Sequence, residues 1–344
     1  MEIVRRRSFE DKMGIKESLE RIMNGRTAIV IILVAILWRT VISLDGKIVL
    51  WESVCSGTAL IILGWVLFAY MYHMSGELKG WLISNYIYLG VVMTLLIINI
   101  YALVYYAMRW LRLLSVEAYL PLDFIFRDVR YIALVVFYCS IIWSTGYLKK
   151  MHEGYISRSK EKSLLHLISP FIYPRVKKLR EMGYKELIGA LLTDERTLLV
   201  IVGLTFLWRM YISFDYKIVL WESASSGIAL MILGWLLFAY LYSLTRKQRD
   251  WLDLIKVYHS VALGVVAINM YVIVYYVMRW YRLAGLGGVA EALVPIDFLF
   301  RDIRYFALVM FYCASIVLSK FLRRAYEEHR LLSTEVSTKT ARKK

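Results

Sequence analysis

Cysteine and histidine are scarce: the 344-residue chain has three of the first and five of the second. Cys55, Cys139 and Cys313 each fall inside an apolar run, which suits small core residues and not a disulfide framework. No CxxC or other zinc-like spacing occurs. No serine is placed near a histidine and an acid so as to suggest nucleophilic catalysis. The one glycine-rich stretch, AGLGG at Ala284–Gly288, lacks the strand and helix context of a phosphate loop and reads as a connector. The first 26 residues are charged and mixed, without the short apolar core of a signal peptide, so no cleaved leader is expected. Acids are also short, 27 against 43 lysines and arginines, for a net charge of +16. The basic residues flank apolar runs and do not gather on a polar face. They therefore argue against nucleic acid and for membrane topology, with anionic lipid head groups attracted at the inner face.

What the chain has in excess is apolar length. Sixty per cent of its residues are hydrophobic and the mean hydropathy is +0.56, well above the ~45–50% of a soluble domain. Runs such as Val54–Tyr72 and Val257–Val277 approach the ~20 residues that cross a bilayer as a helix.

The chain also resembles itself. Leu37–Arg112 aligns without a gap to Leu207–Arg282, and about half the positions are identical. After a longer second loop, PLDFIFRDVRYIALVVFYC from Pro121 matches PIDFLFRDIRYFALVMFYC from Pro295. The pattern is a tandem duplication. Each copy reads as four spans, Thr27–Leu44, Ile48–His73, Trp81–Trp110 and Pro121–Leu148, then Thr197–Phe214, Ile218–Leu241, Trp251–Trp280 and Pro295–Leu322. The fold class expected is therefore all-α: a polytopic membrane protein of about eight helices in two pseudo-symmetric four-helix repeats. An even number of spans per copy makes the repeats parallel.

Around the repeats at 27–148 and 197–322 lie an N-terminal segment (1–26), a basic linker (149–196) and a basic tail (323–344). Lysine and arginine concentrate in all three, so the positive-inside rule puts them on the cytoplasmic side of a cell membrane, with both termini inside. Within the linker, LLHLISPFIYP and YKELIGALL read as interfacial amphipathic pieces, and the last ten residues read as disordered.

Charge recurs at matched positions. LWRTVISLDGKIVLWES (Leu37–Ser53) and LWRMYISFDYKIVLWES (Leu207–Ser223) keep the same arginine, aspartate, lysine and glutamate. At 1.5 Å per residue, Arg39 lies roughly 18 Å along the first span, in the outer half of the bilayer. Glu52 starts the returning span at a similar depth, which predicts Arg39–Glu52 and Arg209–Glu222 pairs. Each copy thus stacks polar groups in its outer third: Arg39, Glu52, Asn99, Arg109, Arg112, Asp123, Arg127, Asp128 and Arg130, repeated as Arg209, Glu222, Asn269, Arg279, Arg282, Asp297, Arg301, Asp302 and Arg304. Tyr101, Tyr105 and Tyr106, with Tyr271, Tyr275 and Tyr276, line the same stretch. A charge at this depth costs about 2.5–3.5 kcal/mol unless paired or wetted, so these groups must face the bundle interior.

These charges have two readings. They are ion pairs that fix helix geometry, or they form an outward-facing polar site for a small anion. The leading function is a transporter or channel-like protein of the second kind. The alternatives are a non-catalytic membrane subunit with protein partners, a homo-oligomer included, and a lipid-head-group enzyme using Asp128 or Asp302 as base. No histidine is matched in the other copy: Ser243 faces His73, Leu89 faces His259, and Tyr326 and Tyr155 face His152 and His329. A symmetric haem or metal centre is therefore disfavoured, and no cofactor is expected. Ser53, Gly57 and Gly64, with Ser223, Gly227 and Gly234, read as small residues that let another helix approach closely.

Overall fold

A computed structural model describes residues 23–43, 50–77, 82–115, 123–159, 195–213, 217–247, 252–285, 289–291 and 296–341. Eight helices fall within them: α1 (Gly25–Ser43), α2 (Leu50–Glu77), α3 (Leu82–Ser115), α4 (Asp123–Ser159), α5 (Glu195–Ser213), α6 (Leu220–Lys247), α7 (Leu252–Gly285) and α8 (Ile296–Ala341). Seven are long and apolar enough to cross a membrane. The exception is α5, whose apolar stretch is Val200–Tyr211. Helices dominate because hydrocarbon offers no partner to a backbone N–H or C=O, and a helix satisfies both within one segment. The protein is a multi-pass, lipid-embedded helical protein by shape.

Local signals start the helices. The Asn24 side-chain oxygen accepts from the backbone N–H groups of Arg26 and Thr27, both at 2.9 Å, and caps α1. Glu52, Glu222 and Asp253 stand in the first turns of α2, α6 and α7, where the helix dipole favours negative charge. Two short strands, β1 (Lys217–Val219) and β2 (Val289–Glu291), pair antiparallel, with Ile218 opposite Ala290. The helix expected from Ile218 therefore begins two residues later, because the longer second loop supplies a strand that takes up this backbone.

The helices pack crosswise. The closest partner of α4 is α7 and that of α8 is α3, so the third helix of each half lies on the fourth helix of the other. Around these four, α1 packs on α4, α2 on α3, α6 on α7 and α5 on α8. Matched residues meet at the centre. Phe137 and Phe311 contact edge to face at 5.6 Å, and the hydroxyls of Tyr101 and Tyr271 are hydrogen-bonded at 2.8 Å. A Cβ on Gly264 would fall 2.7 Å from Ser140 Oγ, which shows how closely α7 approaches α4.

One expectation changes. Helix α8 runs on through Ala341, so residues 335–341 are helical where the composition suggests disorder. The segment contains no glycine or proline, and extending an existing helix needs no new nucleus. The linker pieces LLHLISPFIYP and YKELIGALL lie outside the described residues.

Candidate functional site

Helix α1 buries one stripe, Ala28, Ala35, Arg39 and Ile42, and turns Leu33, Val34, Leu37 and Val41 outward. That spacing puts Arg39 on the inward face by the same periodicity that buries the alanines. Opposite it, Glu52 opens α2 and Arg127 and Asp128 lie on the first turns of α4. Arg39, Glu52 and Arg127 are each at most 4% exposed. Arg127 Nε lies 2.9 Å from Asp128 Oδ1, and its Nη1 lies 3.6 Å from Glu52 Oε2. Arg39 Nη1 is 3.6 Å from Asp128 Oδ1. Ser43 accepts from Arg127 Nη2 at 3.0 Å and donates to Asp128. The Arg39 guanidinium also covers the Tyr131 ring at 4.2 Å from its centroid, a favourable cation–π geometry.

The second half builds the same arrangement. Arg301 Nε is 3.0 Å and Arg209 Nη1 3.8 Å from Asp302 Oδ1, and Arg209 covers Tyr305 at 3.9 Å. Glu222 is buried at the matched place on α6. The Arg39–Glu52 and Arg209–Glu222 pairs expected from depth alone are not formed: Arg39 and Arg209 pair instead with the aspartates of the fourth helix of each half, Asp128 and Asp302. Asp128 is the carboxylate that the geometry gives Arg39, and Arg127 is the cation that it gives Glu52.

Arg130 and Arg304 do something different. Both are buried, and they lie over the rings of Tyr105 and Tyr275 at 5.5 Å. Arg130 Nε donates to the Phe126 carbonyl at 3.1 Å, and no carboxylate among the described residues pairs with its guanidinium. Each arginine lies within electrostatic reach of Tyr101, Tyr105, Tyr271 and Tyr275. The tyrosines of both halves therefore form a shared aromatic centre flanked by one buried cation from each half. Arg109 and Arg279 are half-buried, and each donates to the tyrosine four residues before it, Tyr105 at 2.9 Å and Tyr275 at 3.1 Å.

Asn99 and Asn269 bind elsewhere. Their side-chain oxygens accept from Tyr138 at 2.9 Å and Tyr312 at 2.7 Å, tying α3 to α4 and α7 to α8. Gly64 and Gly234 make room for these amides, since a Cβ on either would strike the asparagine. The small-residue stripe is in this respect the packing feature that its spacing suggests. Two further acids of the outer third, Asp123 and Asp297, have side chains outside the described residues.

A small cleft opens beside the first cluster. Arg39, Arg109, Arg127 and Arg130 line it with Ser53, Tyr106 and the opposite half's Tyr271. Its volume is about 10 Å³, room for roughly one water. The matched cleft of the second half is lined by Arg209, Arg279 and Arg301 with Ser223 and Tyr276, and also by Glu222 and by Val219 of β1, and its volume is about 0 Å³. Sequence reasoning missed the roles of Ser43, Ser53, Tyr131 and Tyr305. The signal was there, since Ser43 and Tyr131 recur unchanged as Ser213 and Tyr305.

Among the described residues no group of three or more histidines, cysteines or acids could hold a metal ion. No family model, curated protein or solved structure matches the chain.

Proposed function

We propose that the chain is a membrane transporter or channel-like protein for a small anion, with its arginine-rich site opening to the outer side. The observation that carries this reading is the buried cation excess. Arg39, Arg109, Arg127 and Arg130 border one cleft, and the two carboxylates beside it, Glu52 and Asp128, pair with Arg39 and Arg127 and leave Arg109 and Arg130 without an acid among the described residues. A purely structural network would neutralise its members, because an uncompensated buried charge is expensive.

The fuller architecture belongs to the same proposal. Helix α5, with 19 residues, equals α1 in length and matches it in sequence, which supports an eighth span at roughly 28 Å of rise. Two tandem four-helix repeats then run parallel. The basic bias of the termini and linker supports a cytoplasmic location for all three in a cell membrane, with anionic head groups beside them. The crossed packing of third and fourth helices makes one body of the two repeats, with the tyrosine centre on the axis between them.

One observation favours the scaffold reading: the carboxylates facing Arg39 and Arg127 come from their own half, as a helix clamp requires. Head-group catalysis loses its motive. It needs a free acid, and both Asp128 and Asp302 are ion-paired.

Arg109 and Arg279 are the discriminating residues, because they are half-buried at the mouth and are held by tyrosine hydroxyls, not by acids. In reconstituted vesicles, Arg109→Gln with Arg279→Gln should reduce anion flux at least tenfold while the protein stays folded. Unchanged flux in the double variant would favour the clamp.

A further inference from the structure

The two halves meet through contacts of two kinds. On the axis between them a residue faces its own counterpart, Tyr101 against Tyr271 and Phe137 against Phe311. Such contacts would serve two first halves, or two second halves, equally well. Away from the axis the matched contacts are unlike. Where α3 crosses α8, Gly90 faces Leu318, and a Cβ on the glycine would fall 3.2 Å from the leucine Cδ1 and 3.6 Å from its Cα. The same places on α7 and α4 hold Ser260 and Ser144. Where α4 crosses α7, Gly264 faces Ser140, whose hydroxyl is tied to the Phe137 carbonyl at 2.7 Å. The same places on α3 and α8 hold Thr94 and Ala314. A change of size on one side of each contact is thus matched by a change on the other.

A pairing of like halves would lose this fit. Two first halves would set Gly90 against Ser144 and leave the leucine's volume empty. They would also set Thr94 against Ser140, although a Cβ at the glycine's place falls 2.7 Å from the serine oxygen. Two second halves would press Ser260 onto Leu318 and leave Gly264 opposite Ala314. Each like pairing therefore combines a void with an overfilled contact, at both crossings. Thr94, Ser140, Ser144 and Ser260 are all buried, so the misfits have no solvent to relax into. Voids and overfilling both cost stability in a closely packed interior. The first half is also synthesised before the second, and until then a first half from a neighbouring chain competes for its open face.

We infer that the α3–α4 face is a partner-selecting surface, which accepts the α7–α8 face of a second half and rejects a second copy of itself, with Gly90, Thr94, Ser140 and Ser144 as the selecting residues. Selectivity of this kind comes from the misfit of the wrong partner as much as from the fit of the right one. It does not depend on what the protein carries.

Exchanging the four positions between the halves tests this in the intact chain, by thermal unfolding of the purified protein in detergent. Ser260→Gly, Gly264→Thr, Ala314→Ser and Leu318→Ser together give the second half the first half's residues and make both crossings those of like halves. This set should lower Tm by about 5 °C or more. The converse set in the first half, Gly90→Ser, Thr94→Gly, Ser140→Ala and Ser144→Leu, should do the same. All eight together restore unlike partners with the roles of the halves reversed, and Tm should return to within about 2 °C of the parent. A smaller cycle reads the same coupling with less disturbance: Gly264→Thr alone should lower Tm, and adding Ser140→Ala should recover most of the loss. A fourfold set that melts like the parent, an eightfold variant whose loss is the sum of the two sets, or no recovery from Ser140→Ala would each overturn the inference.

Discussion

Glu52→Gln keeps the side chain's shape and removes its charge. The carboxylate is 2% exposed and lies 3.6 Å from Arg127 Nη1. At an effective dielectric of ~20, two unit charges at that distance attract by about 4–5 kcal/mol. Two effects reduce the loss. Arg127 keeps Asp128 at 2.9 Å, and glutamine retains a hydrogen-bond acceptor. The net cost should be about 2–3 kcal/mol, at or below the ~3–5 kcal/mol for stranding one member of a buried pair. Unfolding free energy measured by steric trapping in bicelles reads it directly. Arg127→Met alone should cost a similar amount. The double variant should cost clearly less than the sum, since neither charge is then left alone. A Glu52→Gln cost below about 0.5 kcal/mol, or a cycle additive within ~0.5 kcal/mol, would refute the reasoning.

Gly64→Ala should destabilise by about 2 kcal/mol or more, because a Cβ there would sit 2.8 Å from the Tyr138 hydroxyl and strike the Asn99 amide. Gly146→Ala, with nothing within 4 Å of the added carbon, should be neutral or stabilise by up to ~1 kcal/mol; the same unfolding assay checks both. Tyr101→Phe and Tyr271→Phe should each cost about 1 kcal/mol by stranding the other hydroxyl, and the double variant should cost little more than either; a double cost near the sum would contradict the direct bond. For topology, an engineered cysteine replacing Glu153 should react with an impermeant thiol reagent only from the cytoplasmic side, and one replacing Arg282 only from outside. The opposite pattern would invert the orientation.

Much of the fold was legible because lipid leaves few choices. Apolar runs of span length flanked by basic segments become helices, and the matched ends at Leu37 and Leu207 mark the unit. The partners of the charges were not legible. Arg39 and Glu52 are at similar depth, but depth does not fix rotation about each helix axis. Rotation brought Asp128 of α4 to Arg39 and Arg127 to Glu52. Nor did the repeat foretell that α3 would pack on α8 and α4 on α7, since two copies can sit side by side or interlock with the same pattern. Ser53 was read as a packing residue. Its hydroxyl acquires meaning only when Arg39 and Tyr106 are seen on the same cleft. The tail was misread because composition says nothing of the helix that precedes it.

Anion flux through the unmodified chain is the most direct test of the central claim. The protein would be reconstituted into sealed vesicles loaded with chloride, nitrate, phosphate or sulfate, with a potassium ionophore to balance charge. Saturable efflux of at least one of these anions down its gradient is expected, and none from protein-free vesicles. Release no faster than from protein-free vesicles for every anion, from protein shown to be folded, would contradict it and leave the charged clusters as helix clamps of a membrane subunit.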